Sequence, residues 1–356
     1  MADSALGGVL TPASQIGRYF SLVSGVPSLV VTLLPIGLVT AGAPSRRPKL
    51  ATVIDAMRGA KLAEFGLLAI IVVVIGLAIQ PLQFALTQLL EGYWGSSVPG
   101  QLAMVRSTRR HLERYLRLEE RANGAGWSVD DFDQDLRAIE DREYALQDAG
   151  ALPRKLADIL IEKRRQSLLA ALPDRVAAQE FSRKKDKYPA GPADLMPTRL
   201  GNMLRRHERL AGSSYGLDVV YVASALAQVT NETVRDYHDD ARSELDLSTR
   251  MILVWTLSTT IGVALLWQYD VWLLLPFSTS LLTWLAYRAA VASAEAYGEA
   301  LTVLVALGRK PLYEALGIGQ PQSSAEERRW NAEVIKQIRG DEANLNYSPR
   351  KDQDFS

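Results

Sequence analysis

Two stretches of this sequence combine residue types and spacings that could support catalysis. Gly212-Ser213-Ser214-Tyr215-Gly216 fits the G-x-S-x-G spacing of a nucleophile elbow, which would make Ser214 the nucleophile of a membrane-bound hydrolase. Such an elbow needs a strand before the serine and a helix after it. The preceding Leu200–Leu210 reads as helix, so the stretch is expected to be a Gly/Ser loop. Asp236, His238, Asp239, Asp240, Glu244 and Asp246 form the densest grouping of acids around a histidine. Asp236, Asp240 and Glu244 recur at i, i+4 and i+8 on one helical face, so their oxygens, with His238, are the candidate ligands of a metal-dependent enzyme. The same spacing suits a solvated helix, which is the expectation here. His111 and His207 sit among arginines without spaced ligand partners and read as surface residues. Neither G-x-x-x-x-G-K-[ST] nor H-E-x-x-H occurs. No cofactor is expected.

Composition narrows the class of protein that must position these residues. The 356 residues carry 40 Lys plus Arg against 40 Asp plus Glu, and no cysteine. A neutral balance argues against nucleic acid as a partner, and the missing cysteines exclude thiol catalysis and a disulfide scaffold. The charge is unevenly placed: 19–45, 65–90, 251–269 and 271–287 contain no Asp, Glu, Lys or Arg. A membrane helix needs about 20 mostly apolar residues. Four spans are therefore expected, at about 19–44, 65–90, 251–267 and 271–287. The first is interrupted by Pro27 and Pro35, and a re-entrant segment is its competing reading. The last two are joined only by Gln268-Tyr269-Asp270, which forces a hairpin. Tyr19, Phe20, Tyr93, Trp94, Trp267, Tyr269, Trp284 and Tyr287 lie where headgroup-level rings belong.

The predicted fold is all-α: an integral membrane protein with two transmembrane helical hairpins and an inserted cytoplasmic helical domain. The divisions are 1–92, 93–249, 250–290 and 291–356, the last being a cytoplasmic helix with a partly disordered tail. Arg235, Arg242, Arg250, Arg288 and Arg309 flank the last hairpin and favour a cytoplasmic middle region and termini. Arg46, Arg47, Lys49, Arg58 and Lys61 in the first loop argue the other way, unless Leu50–Leu62 lies along the outer interface as a short amphipathic helix. Within the insert, helices are expected over Leu102–Arg121, from an N-cap at Ser128–Asp131 through Phe132 and Tyr144, and from Pro153 onward, with Glu113–Arg117 and Glu162–Arg165 as surface pairs. Val219–Val229 is too short to span and reads as core or interfacial. Beyond the last span, Ala292, Ala296 and Ala300 suggest tight packing, Gly308–Pro311 should end that helix, and Ala325–Arg339 should form another.

Polar residues inside the spans form faces. Ser21, Ser24, Ser28 and Thr32 share one; Gln80, Gln83 and Thr87 share another; Thr256 and Thr260 a third. Such residues let membrane helices approach closely or line a hydrated path. No ionisable residue lies inside a span, so a proton-coupled pump lacks its usual residues. Arg199, Arg205, Arg206 and Arg209 make a basic patch suited to a lipid headgroup or another anion.

Two further stretches, Gln80-Pro81-Leu82 running to Leu90-Glu91-Gly92-Tyr93-Trp94, and Pro197-Thr198-Arg199-Leu200-Gly201-Asn202 followed by Tyr215-Gly216-Leu217-Asp218, carry a resemblance. In them, and in its layout of span pair, charged insert and span pair, the chain resembles a family of uncharacterised bacterial multi-pass membrane proteins. That family has no established activity, so the resemblance implies no catalytic residues. Arginine outnumbers lysine and alanine is abundant, as in GC-rich bacteria, which places the expected protein in a bacterial inner membrane. The functional expectation is a non-enzymatic oligomeric membrane protein, channel-like or an anchor, whose cytoplasmic helices sense or bind a protein partner. A structural scaffold for other membrane proteins is the third reading.

Overall fold

Apolar runs and charged amphipathic stretches alike become helices, several of them bounded by proline, glycine or short polar caps. The structure, a computed structural model, describes residues 25–79, 81–123, 134, 137–138, 141 and 151–345. Among the described residues there is no strand. Eleven α-helices are named here: α1 (Val26–Thr40), α2 (Leu50–Gly59), α3 (Leu62–Ile79), α4 (Leu82–Glu91), α5 (Val98–Asn123), α6 (Ala151–Lys185), α7 (Arg199–Leu210), α8 (Val219–Val229), α9 (Glu232–Leu266), α10 (Leu274–Ala315) and α11 (Ser324–Arg339).

Three helices are long and apolar enough to cross a membrane: α3, α9, and α10 with the 3-10 turn Asp270–Leu273 that precedes it. The number rises to four if the Arg199–Tyr215 and Val219–Val229 segments, bent by 70°, are taken as one span. Helix α1 has 15 residues, about 22 Å at 1.5 Å per residue, against a hydrocarbon core of roughly 30 Å. The expected span over 19–44 is therefore helical only from Val26 to Thr40 among the described residues, and residues 19–24, with Ser21 and Ser24, lie outside them. The expected single span over 65–90 is described as two helices, α3 ending at Ile79 and α4 starting after Pro81. Proline has no N–H to bond the carbonyl four residues back and crowds it.

α9 and α10 run unbroken through positions 250 and 290, so the last hairpin continues into the polar part of the chain. They pack along their lengths. α1 lies against α9, and α3 against α1. Leu38 and Ala43 cluster with Leu266, and the Tyr269 hydroxyl donates to the Pro44 carbonyl at 2.7 Å. The loop after α1 and the turn before α10 therefore share one end of the bundle. At the other end α4, α7 and α8 gather around the lower halves of α9 and α10.

Two expectations for α10 are corrected. Pro311 does not end the helix, which continues to Ala315 while the Arg309 guanidinium donates to the Ala306 carbonyl. The buried seam is Ala290, Ala294, Gly298, Leu301 and Val305, not Ala292, Ala296 and Ala300, of which only Ala300 is buried. Both series have helical spacing, but the first continues into large apolar residues whereas the second passes beside Glu295 and Glu299.

α5 and α6 form a second pair. Glu119 meets Lys185 at 2.8 Å and Arg121 lies over Phe181, so the two run antiparallel. Tyr115 is buried against Leu112 and Leu118, with Tyr188 and Leu195 closing the base. Glu113 pairs with Arg109 at 3.1 Å, while Arg117 donates to its backbone carbonyl; the expected Glu162–Arg165 pair forms at 3.8 Å. The expected N-cap at Ser128–Asp131, with Phe132 and Tyr144, lies outside the described residues.

Candidate functional site

The residues that most constrain one another lie where α4 leaves the apolar bundle and meets α7. Gly92 closes α4 in a left-handed conformation (φ 111°), open to glycine at little cost. A Cβ there would lie 2.6 Å from Cδ of Pro197. Thr198 caps α7: its Oγ1 accepts from the Gly201 N–H at 2.9 Å and donates to the Glu91 carbonyl at 3.0 Å. Gly201 sits so close to that carbonyl that a Cβ would be 2.1 Å from it. Asn202, 1% exposed, accepts from the Met196 N–H at 2.9 Å and donates to the Met196 and Thr198 carbonyls at 2.8 and 2.6 Å. Ser107 of α5 donates to the Pro197 carbonyl at 2.5 Å. The two stretches that carry the resemblance, about a hundred residues apart, thus dock on each other.

Charge is concentrated around this joint. Burial, then the neighbouring Glu208 carboxylate, pushes the Glu91 carboxyl up to about 7. Burial also raises Glu208, against the pull of Arg205. Asp194 meets Arg209 at 3.0 Å and Arg205 at 3.8 Å, and Arg205 meets Glu208 at 3.6 Å. Of the expected basic patch, Arg205 and Arg209 are therefore ion-paired, Arg206 is half-buried and Arg199 is exposed.

His111 and His207 are corrected from surface to half-buried positions. His111 Nδ1 lies 3.2 Å from the Tyr188 hydroxyl, and burial, then Arg199 and Arg114, lowers its pKa. His207 packs against α10 beside Gly298; burial, then Arg206, lowers it, while Glu295 and Glu299 oppose. Lys187 reaches Glu295 at 3.2 Å and joins the end of the α5/α6 pair to α10.

The candidate catalytic sets come apart. Ser214 is exposed in a 3-10 turn, Ser213–Tyr215, that follows helix α7, so the strand an elbow requires is replaced by a helix. The neighbouring Tyr215 carbonyl instead accepts from Asn331 at 2.7 Å, and Arg309 stacks over the Tyr215 ring at 4.1 Å. Arg309 also binds Glu327 at 2.9 Å, and the Tyr313 hydroxyl donates to Glu327 and Asn331. The GSSYG loop thereby anchors α11. Among the described residues no group of three His, Asp or Glu side chains could hold a metal ion. Asp240 and Glu244 are exposed and Asp236 is half-exposed. His238 is buried, 3.0 Å from the neighbouring Asp239 carboxylate and tilted on the Tyr297 ring. A helix spreads consecutive side chains around its circumference, so the sequence density of acids is not density in space.

The hydroxyl and amide faces divide likewise. Ser28 and Thr32 are buried, and Thr32 donates to the Ser28 carbonyl at 2.7 Å. Gln83 accepts from the buried Arg250 guanidinium, linking α4 to α9. Thr87 is half-buried; Thr256 and Thr260 are exposed and donate to carbonyls of their own helix. Gln80 lies outside the described residues. Ser28 and Thr32 are buried on α1, which lies against α9 and α3, and Gln83 binds Arg250 of α9. Thr259 and Thr279 (2.8 Å) and Ser248 and Ser293 (3.3 Å) join α9 to α10; the sequence reading did not single these out. Glu91 stood within a quoted stretch, but nothing in the sequence paired it with Glu208.

No family model matches the chain, and no curated protein or solved structure matches it significantly.

Proposed function

We propose that the chain is a non-enzymatic, oligomeric, multi-pass protein of the bacterial inner membrane, with two hairpins that hold a cytoplasmic helical domain able to sense or bind a protein partner. The observation that carries this reading is the joint between α4 and α7. It ties the end of an apolar bundle to a charged helical region by buried, directional bonds at Thr198, Gly201 and Asn202. Of its two forms, anchor and channel, the anchor is favoured. Among the described residues of these faces, Ser28 and Thr32 are buried and Gln83 binds Arg250 within the chain, which supports the anchor.

Two measurements test it. Purified protein in planar bilayers should pass no current, while sizing in detergent should give a defined oligomer; stepwise conductance would sink the anchor form. Cysteine is absent, so Ser45→Cys and Ser214→Cys, both at exposed positions, report sidedness. Labelling of Ser214→Cys from outside intact cells would overturn the orientation.

A further inference from the structure

Helix α2 has no buried residue and lies between α1 and α3 at the bundle end shared with the Tyr269 turn. Its apolar side chains fall on one arc: Leu50, Ile54 and Met57, at i, i+4 and i+7, are 67%, 49% and 63% exposed. Asp55 and Thr52 project from the opposite side. A helix in water gains nothing by arranging its largest apolar groups outward on one stripe, so that stripe needs a cover. The chain around it is basic: Arg46, Arg47, Lys49, Arg58 and Lys61 against Asp55 and Glu64. Glu64 is committed to capping, accepting from the Lys61 N–H at 3.1 Å. Lys49 precedes the helix and Arg58 lies in its last turn, so cationic stems flank the apolar arc at both ends and can bury their methylenes while keeping the charge at headgroup level.

We infer that α2 lies flat in the membrane interface, its Leu50–Ile54–Met57 stripe in the acyl boundary and its five cationic residues on anionic phospholipid headgroups. The inference rests on the membrane reading proposed above. The occupant is the bilayer of the chain's own membrane: α2 is tethered within three residues of α3, whose Leu67, Ile70, Val73, Val74 and Leu77 are all exposed and apolar. Charge complementarity selects anionic over neutral lipid.

The test uses the full chain reconstituted in vesicles of phosphatidylcholine alone or with phosphatidylglycerol. Ile54→Cys, Asp55→Cys and Val73→Cys each carry one environment-sensitive fluorophore, read with and without lipids bearing a headgroup-depth nitroxide. The Ile54→Cys probe should emit to the blue of Asp55→Cys and be quenched at least about twofold more strongly. That difference should grow with phosphatidylglycerol and shrink on neutralising Arg46, Arg47 and Lys49 to Gln. A blue-shifted Ile54→Cys probe that the lipid nitroxide does not quench would mean that protein covers the stripe, and would overturn the inference. So would a water-like Ile54→Cys probe beside a lipid-buried Val73→Cys probe. A Val73→Cys probe in water would instead overturn the membrane reading itself. Indifference to phosphatidylglycerol would remove the anionic headgroups as the partner.

Discussion

α9/α10 and α5/α6 are both antiparallel pairs of long helices, yet they are held in different ways. The first closes at Gly262 against Pro276 and at Ala290 and Ala294, which cluster with Leu245 and Ile252 of α9 and with Leu200, Met203 and Leu204 of α7, and it adds hydroxyl pairs such as Thr259–Thr279. The second is covered with arginine and glutamate, and among the described residues it is held around Tyr115, Tyr188 and Lys185. Exposed ion pairs contribute little, whereas a seam of small residues excludes both water and lipid. The first pair is thus the frame and the second an arm hung from it, attached through Ser107–Pro197 and Lys187–Glu295.

The sharpest way to break this comparison is to overfill the frame. Ala294→Leu should cost about 3 kcal/mol by forcing the seam apart, visible as a large fall in the thermal midpoint of the purified protein in detergent. Ile159→Ala, at an exposed position on α6, should shift that midpoint hardly at all. Equal losses from the two would erase the distinction between frame and arm.

Next in size is the joint. Asn202→Ala leaves the Met196 and Thr198 carbonyls and the Met196 N–H without their side-chain partner, and should cost about 2 kcal/mol. Limited proteolysis should then cut between α6 and α7 before it cuts α9. Cleavage unchanged from the parent would mean that the joint does not secure the arm.

A smaller effect comes from Glu91. Its folded carboxyl holds a proton to about pH 7, well above an ordinary carboxylate. The stability of the neutral form is therefore fully present below about pH 4.5 and is lost as pH rises towards 7. Glu91→Gln should flatten this slope and stabilise the protein by about 1 kcal/mol at pH 8, since solvent screening reduces the full effect. A midpoint-versus-pH profile that the substitution leaves unaltered would show that Glu91 is ionised at neutral pH. Smallest of all, Lys185→Ala should cost under about 1 kcal/mol, because its Glu119 pair is part-exposed; differential scanning in low and high salt would detect the screening.

The helices were legible where their signals are local, as in the uncharged runs and the apolar spacing of Leu102–Arg121 and Ala325–Arg339; the caps at Thr198, Asp218, Asn231 and Ser323 are equally local but went unread. The sequence also singled out the two stretches that form the joint, though not that they meet, since about a hundred residues separate Glu91 from Thr198. What failed were one-dimensional inferences about space. Ala292–Ala296–Ala300 and Ala290–Ala294–Gly298 have equivalent spacing, and only the partner helix decides between them. The acids of Asp236–Asp246 are neighbours in the chain but point around a helix. Pro81 and Pro311 exchanged their expected parts: the first stands between two helices in a run read as continuous, while the second lies in a helix whose last turns are pinned by Arg309 and Tyr313.

α10 is a single rod of 42 residues, about 63 Å long. Its upper part lies among apolar helices and its far end carries Tyr313, fastened to α11 through Asn331. A lever of that length converts small angles into sizeable strokes: a tilt of about 5° would sweep its far end by about 5 Å. At that length α10 is roughly twice as long as a hydrocarbon core of about 30 Å is thick, so one helix reaches from the apolar bundle to the residues that hold α11.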